Sequence, residues 1–163
     1  MYSIPTVKTI LYATALGQHT RPVFRYAISL ARQYNARIIL VHVVEPISNA
    51  VRAVIETYMS VEAADRVQQD NMQQVLEEIK VRLQKFCAEE MKSFKTDVSK
   101  VHEISVVAGD PSEEILRVAD KNKADLIVMG KSTGSVFGST VMGSVSRRVT
   151  RHAKVPVLVV PNY

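Results

Sequence analysis

The chain has a single cysteine, Cys87, so it can form no internal disulfide and no cysteine-based metal site. Cys87 falls within an amphipathic helical pattern and reads as a packing residue. No apolar run approaches the roughly 18 residues of a membrane span, and the opening Met1-Tyr2-Ser3-Ile4-Pro5 lacks a basic region followed by an apolar stretch. A cytoplasmic address is expected, with no membrane as partner. There is no Pro/Ser-rich tract and no long run of one residue type, which together with 47% hydrophobic and 23% charged residues argues against disorder. A chain of 163 residues has room for one domain, 1–163, and none for a second with its own core.

Acids are missing from both ends. Residues 1–44 hold Lys8, Arg21, Arg25, Arg32 and Arg37 and no carboxylate; residues 130–163 hold Lys131, Arg147, Arg148, Arg151 and Lys154, again with none. All 16 acids lie between Glu45 and Asp125. If the two ends meet in the fold, their charge suits an anionic ligand such as a phosphate. For any single Arg or Lys the plainer reading is a solvated helix face.

What is present alternates in type. Ile10 to Thr14 is a short β-rich run, and Arg37 to Val44 is longer and almost continuously apolar, as in strands buried on both faces. Between them Val23, Phe24, Ala27, Ile28, Leu30, Ala31 and Tyr34 recur at helical spacing, with Thr20 and Pro22 near the start. From about Ser60 to Phe94 the apolar positions step by three and four, predicting one amphipathic helix on a sheet; the repeat is too short for a coiled coil. The segment from Glu45 to Met59 reads as a loop with a helical piece.

Val101 to Ala108 predicts a third strand. Asp110 then serves as N-cap, Pro111 as first helical residue and Glu113 as the capping-box partner. Asp125 to Met129, ending at Gly130, predicts a fourth strand, Gly143 to His152 a last helix and Val155 to Val160 a fifth strand. Strands alternating with helices predict a parallel sheet covered on both faces, a doubly wound α/β fold. Its ligands bind at the carboxyl ends of strands where the winding reverses, here after strands one and four.

Residues 130–144 contain four glycines with serine and threonine between them, placed after a buried strand and before a helix. Glycine admits close backbone approach, and free N–H groups at a helix start cradle phosphate oxygens. Two familiar phosphate motifs fail. Gly138 and Gly143 have P-loop spacing, but Ser144-Val145 stands where Lys-Ser/Thr is needed, and no Gly-x-Gly-x-x-Gly follows the first strand. His19, His42, His102 and His152 lack metal-ligand spacing and read as structural or exposed. Ser144 has no activating base placed by the sequence, so no catalytic residue is assigned. The basic face of Arg147, Arg148 and Arg151 lacks the aromatic interleaving or motif of a nucleic-acid binder.

Over nearly its whole length the chain resembles the universal stress protein family. The resemblance rests on Lys8-Thr9-Ile10-Leu11-Tyr12, Leu40-Val41-His42-Val43, Gly109-Asp110-Pro111-Ser112-Glu113-Glu114-Ile115, and the run from Asp125 through Gly130 and Gly143-Ser144-Val145 to Val160. It implies a five-stranded parallel sheet in order 3-2-1-4-5, helices on both faces and homodimers paired through the last strand, Val155–Val160. In one branch it implies ATP or AMP, with or without Mg²⁺, held by Gly-x2-Gly-x9-Gly-Ser/Thr; another branch lacks that motif and holds no ATP. Carried over, the nucleotide-binding positions are Ala13, Thr14 and Ala15 after the first strand, Val43, then Met129, Gly130, Lys131, Thr133 and Gly134, and finally Gly143, Ser144 and Val145.

Two positions depart from the family pattern. Thr133 replaces the second glycine, with Gly134 one place later, and Ala15 replaces an acid that contacts the nucleoside. The implied function is a dimeric stress-response regulator that binds adenine nucleotide. The alternative is a nucleotide-free dimer that engages a protein partner, in part through residues 45–59. With no acid expected beside the glycine-rich stretch, enzymatic activity beyond slow ATP hydrolysis is not indicated.

Overall fold

The computed structural model describes residues 3–17, 19–95, 100–131 and 142–161. The elements in chain order are β1 (Thr9–Ala13), α1 (Thr20–Tyr34), β2 (Arg37–Val44), α2 (Asn49–Glu56), α3 (Val61–Ser93), β3 (Val101–Ala108), α4 (Pro111–Lys121), β4 (Leu126–Gly130), α5 (Ser144–His152) and β5 (Val157–Val160). All neighbouring strands pair in parallel, in the order β3-β2-β1-β4-β5. The winding reverses at β1, which pairs with β2 on one side and β4 on the other, so a crevice opens at its carboxyl end.

The two-residue period of the strands divides the apolar side chains into two cores. Ile10, Tyr12, Ile38 and Leu40 pack toward α1 and the C-terminal half of α3 with Phe24, Ile28, Leu83, Cys87 and Met91. Leu11, Ala13, Ile39, Val41, Ile127 and Met129 face α4 and α5 with Ile115, Val118 and Val149. This is why β1 and β2 read as unbroken apolar runs. The edge strands differ: in β3 His102 and Glu103 are exposed, because an edge strand has only part of each face covered.

Helix starts follow their sequence signals. Asp110 caps α4 by accepting from the Glu113 N–H at 3.0 Å, with Pro111 at the first position. Its carboxyl is held below its ordinary range by the Ser112 hydroxyl at 2.6 Å, then by the Glu113 N–H, with Arg148 adding to the effect. Ser60 and Ser48 cap α3 and α2. α1 ends where Asn35 takes φ +51° and closes the last carbonyls, a left-handed cap that asparagine tolerates.

β1 runs Thr9–Ala13, one residue earlier than the expected Ile10–Thr14, and the starts of β4 and β5 and the packing of α3 also differ from the sequence reading. β4 starts at Leu126, one residue after Asp125, whose N–H donates to the Thr9 carbonyl at 2.8 Å and whose carboxylate accepts from the N–H groups of Lys8 and Thr9 at 2.8 and 2.9 Å, which fixes the entry to β1. β5 starts at Val157, since Pro156 has no N–H to give a ladder and contributes only its carbonyl, to Ile127. α3 is a single helix, but only its C-terminal half packs on the sheet. At 33 residues it runs about 50 Å, longer than the strands it crosses, and its first half packs against α2 through Ala64. α2 is the helical piece within residues 45–59, and none of its residues is buried.

Candidate functional site

The crevice at the carboxyl end of β1 is a cavity of about 280 Å³, near the lower end of the range of small-molecule clefts. Its floor is apolar. Ala13 from β1, Val41 and Val43 from β2, Met129 from β4, Ile115 from α4 and Val145 from α5 line it, all belonging to the core on the α4 and α5 side. Parallel strands create this floor, because every strand delivers its carboxyl end to the same edge.

One wall is the turn from β1 into α1. The Thr14 N–H donates to the Val41 carbonyl at 2.9 Å, carrying the β1 ladder one residue past the strand. The Thr14 carbonyl accepts from Nδ1 of His42 at 2.8 Å. A carbonyl can only accept, so Nδ1 carries the proton and Nε2 is left as an acceptor. Burial lowers the His42 pKa, opposed in part by this hydrogen bond, so the ring favours its neutral form. Leu16 and Gly17 take φ +44° and +152°, and the Gly17 carbonyl accepts from the Thr20 hydroxyl at 2.8 Å, which closes the turn onto the first residue of α1. Tyr12 Oη donates to the Thr20 carbonyl at 3.3 Å, and burial drives its pKa upward.

The opposite side is formed by the end of β4 and the start of α5. The Lys131 N–H donates to the Val160 carbonyl at 2.8 Å, while the Lys131 carbonyl accepts from the Gly143 N–H at 2.9 Å and from the Ser146 hydroxyl at 2.7 Å. The two ends of the glycine-rich stretch are thus drawn together beside the cavity. Gly143 is the N-cap of α5 and has no side chain to accept from the first turn. Among the described residues the first-turn N–H groups of α5 therefore lack both intrahelical partners and a side-chain cap, a favourable setting for an anion. Arg148 reaches Asp110 at 3.3 Å and ties the start of α4 to α5.

Of the positions carried over from the sequence, Ala13, Thr14, Ala15, Val43, Met129, Gly130 and Val145 line the cavity together. Lys131, Gly143 and Ser144 stand at its β4 and α5 border without lining it, and the Gly143 N–H is engaged by Lys131. Thr133 and Gly134 lie outside the described residues. The structure adds lining residues that the sequence reading did not select: Tyr12, His19, Thr20, Val23, Val41, His42, Glu45, Pro111 and Ile115. Alternation along β2 was the signal for Val41 and Glu45, since residues two and four apart share a face with Val43. Pro111 and Ile115 follow from α4 starting at the carboxyl end of β3.

Two corrections concern charge. Glu45 does bring a carboxylate to the site: it follows Val44, the last residue of β2, one position past the acid-free residues 1–44, and β2 ends beside β1. His42 is a member of the site as well as a structural residue. Among the described lining residues there is no Lys or Arg, so the ionisable groups there are Tyr12, His19, His42 and Glu45. Among the described residues no group of three His, Cys, Asp or Glu is placed to hold a metal. Among them, too, no helix is long and apolar enough to cross a membrane.

Comparison with known proteins agrees with this architecture. The model of the universal stress protein family matches residues 6–161. A universal stress protein of Thermus aquaticus is 31% identical over 153 residues, which cover 94% of this chain and 98% of that relative. The solved structure of protein MJ0577 of Methanocaldococcus jannaschii superposes with a TM-score of 0.72 at 22% identity, covering 98% of this chain and 99% of that one. A further solved universal stress protein has a TM-score of 0.57 at 23% identity and covers 98% of this chain and 100% of its own. The two structural likenesses show the fold. With the family model spanning almost every element that builds the crevice, the chain belongs to the universal stress protein family.

Proposed function

We propose that this protein is a cytoplasmic adenine-nucleotide-binding module that works as a homodimer in stress-response regulation, its nucleotide state altering its shape or its partners. The observation that carries the reading is the cavity itself, where an apolar floor of Val43, Met129 and Val145 meets an uncapped helix N-terminus and Gly130 at the carboxyl end of β4. A flat apolar base fits the floor, and a phosphate chain fits the α5 border, where backbone N–H groups and the helix dipole supply positive potential, no Lys or Arg being among the described lining residues. One of the similar solved structures is of a universal stress protein in complex with cAMP, which supports a purine nucleotide as the ligand class. ATP or AMP is the proposed ligand, with Mg²⁺ arriving on the phosphates. β5 is an edge strand whose free ladder groups favour pairing with a second copy.

Calorimetric titration of protein stripped of retained nucleotide with ATP, AMP and GTP tests this. Saturable, adenine-selective heat is expected, lost in Val43→Glu, which sets a carboxylate into the floor. Absence of heat at millimolar ATP, or unchanged ATP affinity in Val43→Glu, refutes the assignment.

A second reading, a nucleotide-free module that engages a protein partner, is favoured by one feature. α2 has no buried residue and, with the turn after it, exposes Val51, Val54, Tyr58 and Met59. Under that reading, deletion of residues 45–59 abolishes partner capture.

A further inference from the structure

We infer that Glu45 recognises the sugar of the bound ligand, its carboxylate accepting hydrogen bonds from a vicinal diol such as that of a ribose. The inference rests on the nucleotide reading above and deepens it. Val41, Val43 and Glu45 occupy alternate positions and line the same wall, passing from buried through half-buried to exposed. The carboxylate therefore stands at the mouth of the cavity, above the apolar floor that takes the base. Its backbone position is anchored: Val44 pairs with Ala108, and the Val44 carbonyl accepts from the Gly109 N–H at 3.0 Å, so Glu45 leaves the sheet from a held peptide.

Glu45 is the one carboxylate among the described lining residues, and it makes no ion pair or hydrogen bond with any described residue. An ionised carboxylate accepts only, and its two oxygens match the two donors of neighbouring hydroxyls. It also repels phosphate. The anion-accepting border lies at the end of β4, two strand spacings from β2 with β1 between, roughly 9–10 Å away. A ligand with an apolar base, a hydroxylated middle and a phosphate tail satisfies both ends without setting like charges together. His19 and His42 also face this space; neutral His42 adds an acceptor at Nε2 but carries no charge to strengthen it.

The test is calorimetry of the full chain and of Glu45→Ala with ATP, 2′-deoxyATP and ITP, with a thermal melt to establish that the variant is folded. The unaltered protein is expected to bind ATP about 10-fold more tightly than 2′-deoxyATP, the scale of one hydrogen bond to a charged group, and Glu45→Ala to bind the two alike. A preference for ATP over 2′-deoxyATP that is absent from the unaltered protein, or that survives in Glu45→Ala, overturns the inference while leaving nucleotide binding standing. Loss in the variant of discrimination against ITP alone also overturns it, since Glu45 would then read the amino group of the base. Failure of the unaltered protein to bind any of the three removes the nucleotide reading and this inference together.

Discussion

Replacing His42 by Ala tests how the turn that walls the cavity is held. The substitution removes the Nδ1–H donor from the Thr14 carbonyl, a 2.8 Å contact on a residue that is 8% exposed. A buried acceptor left unpaired costs about 1–3 kcal/mol, and because this carbonyl lies at a cavity edge that water can reach, the lower half of that range, about 1–2 kcal/mol, is expected. For a chain of this size that corresponds to a fall in melting temperature of about 2–8 °C. A pH signature accompanies it. Burial depresses the His42 pKa in the folded state, so the unfolded chain takes up the proton more readily. The contribution of neutral His42 is complete above the unfolded value of about 6.5 and is lost as pH falls through the folded value. Urea denaturation at pH 7.5 and pH 5.5 measures both effects. The unaltered protein should lose more stability on acidification than His42→Ala does, the other histidines being common to both. Equal stabilities at pH 7.5, or identical losses on acidification, would refute the role given to this hydrogen bond.

Further outcomes follow from the packing and the caps. Leu83→Ala, in the core between α3 and the sheet, should cost about 2–5 kcal/mol in chemical denaturation, whereas Val54→Ala on exposed α2 should stay within about 0.5 kcal/mol. Equal effects would mean that α3 is not held as described. Asp110→Ala should cost about 1 kcal/mol through loss of the α4 cap. Because the Asp110 pKa is depressed, its stabilisation is present above the ordinary carboxylate value and is lost as pH falls through the folded value. An acid titration monitored by circular dichroism should therefore separate the variant from the parent at neutral pH and bring them together in strong acid. Burial pushes the Cys87 thiol up to about 12, so a disulfide reagent at pH 8 should label it only at the rate of unfolding; prompt labelling of native protein would contradict its buried position.

The local order of elements was written plainly in the chain. The short β-rich run from Ile10 to Thr14, the almost continuously apolar Arg37–Val44 and the Asp110-Pro111-Ser112-Glu113 cap depend on interactions within a few residues, and the structure places β1 at Thr9–Ala13, β2 at Arg37–Val44 and α4 from Pro111. Alternation of strands with helices restricted the sheet to a parallel one, and with it the edge where the crevice opens. Ala13, Thr14, Ala15, Val43, Met129, Gly130 and Val145, named through the resemblance to universal stress proteins, line the candidate cavity at strand ends or helix starts on that edge.

What only the tertiary structure decided are the juxtapositions that no local pattern encodes. The hydrogen bond of His42 to Thr14 joins residues 28 positions apart and turns an apparently ordinary strand histidine into a wall of the cavity. Glu45 reaches the site because β2 and β1 are neighbours in register, Val41 lying opposite Ala13, although in sequence it falls outside the acid-free stretches at the two ends of the chain. The stopping of α3 packing halfway along its length is likewise set by the depth of the sheet, since the helix keeps its periodicity beyond the surface it can cover. Secondary structure here is governed by side chains a few positions apart, whereas the chemistry of the crevice is governed by which strands the crossovers bring side by side.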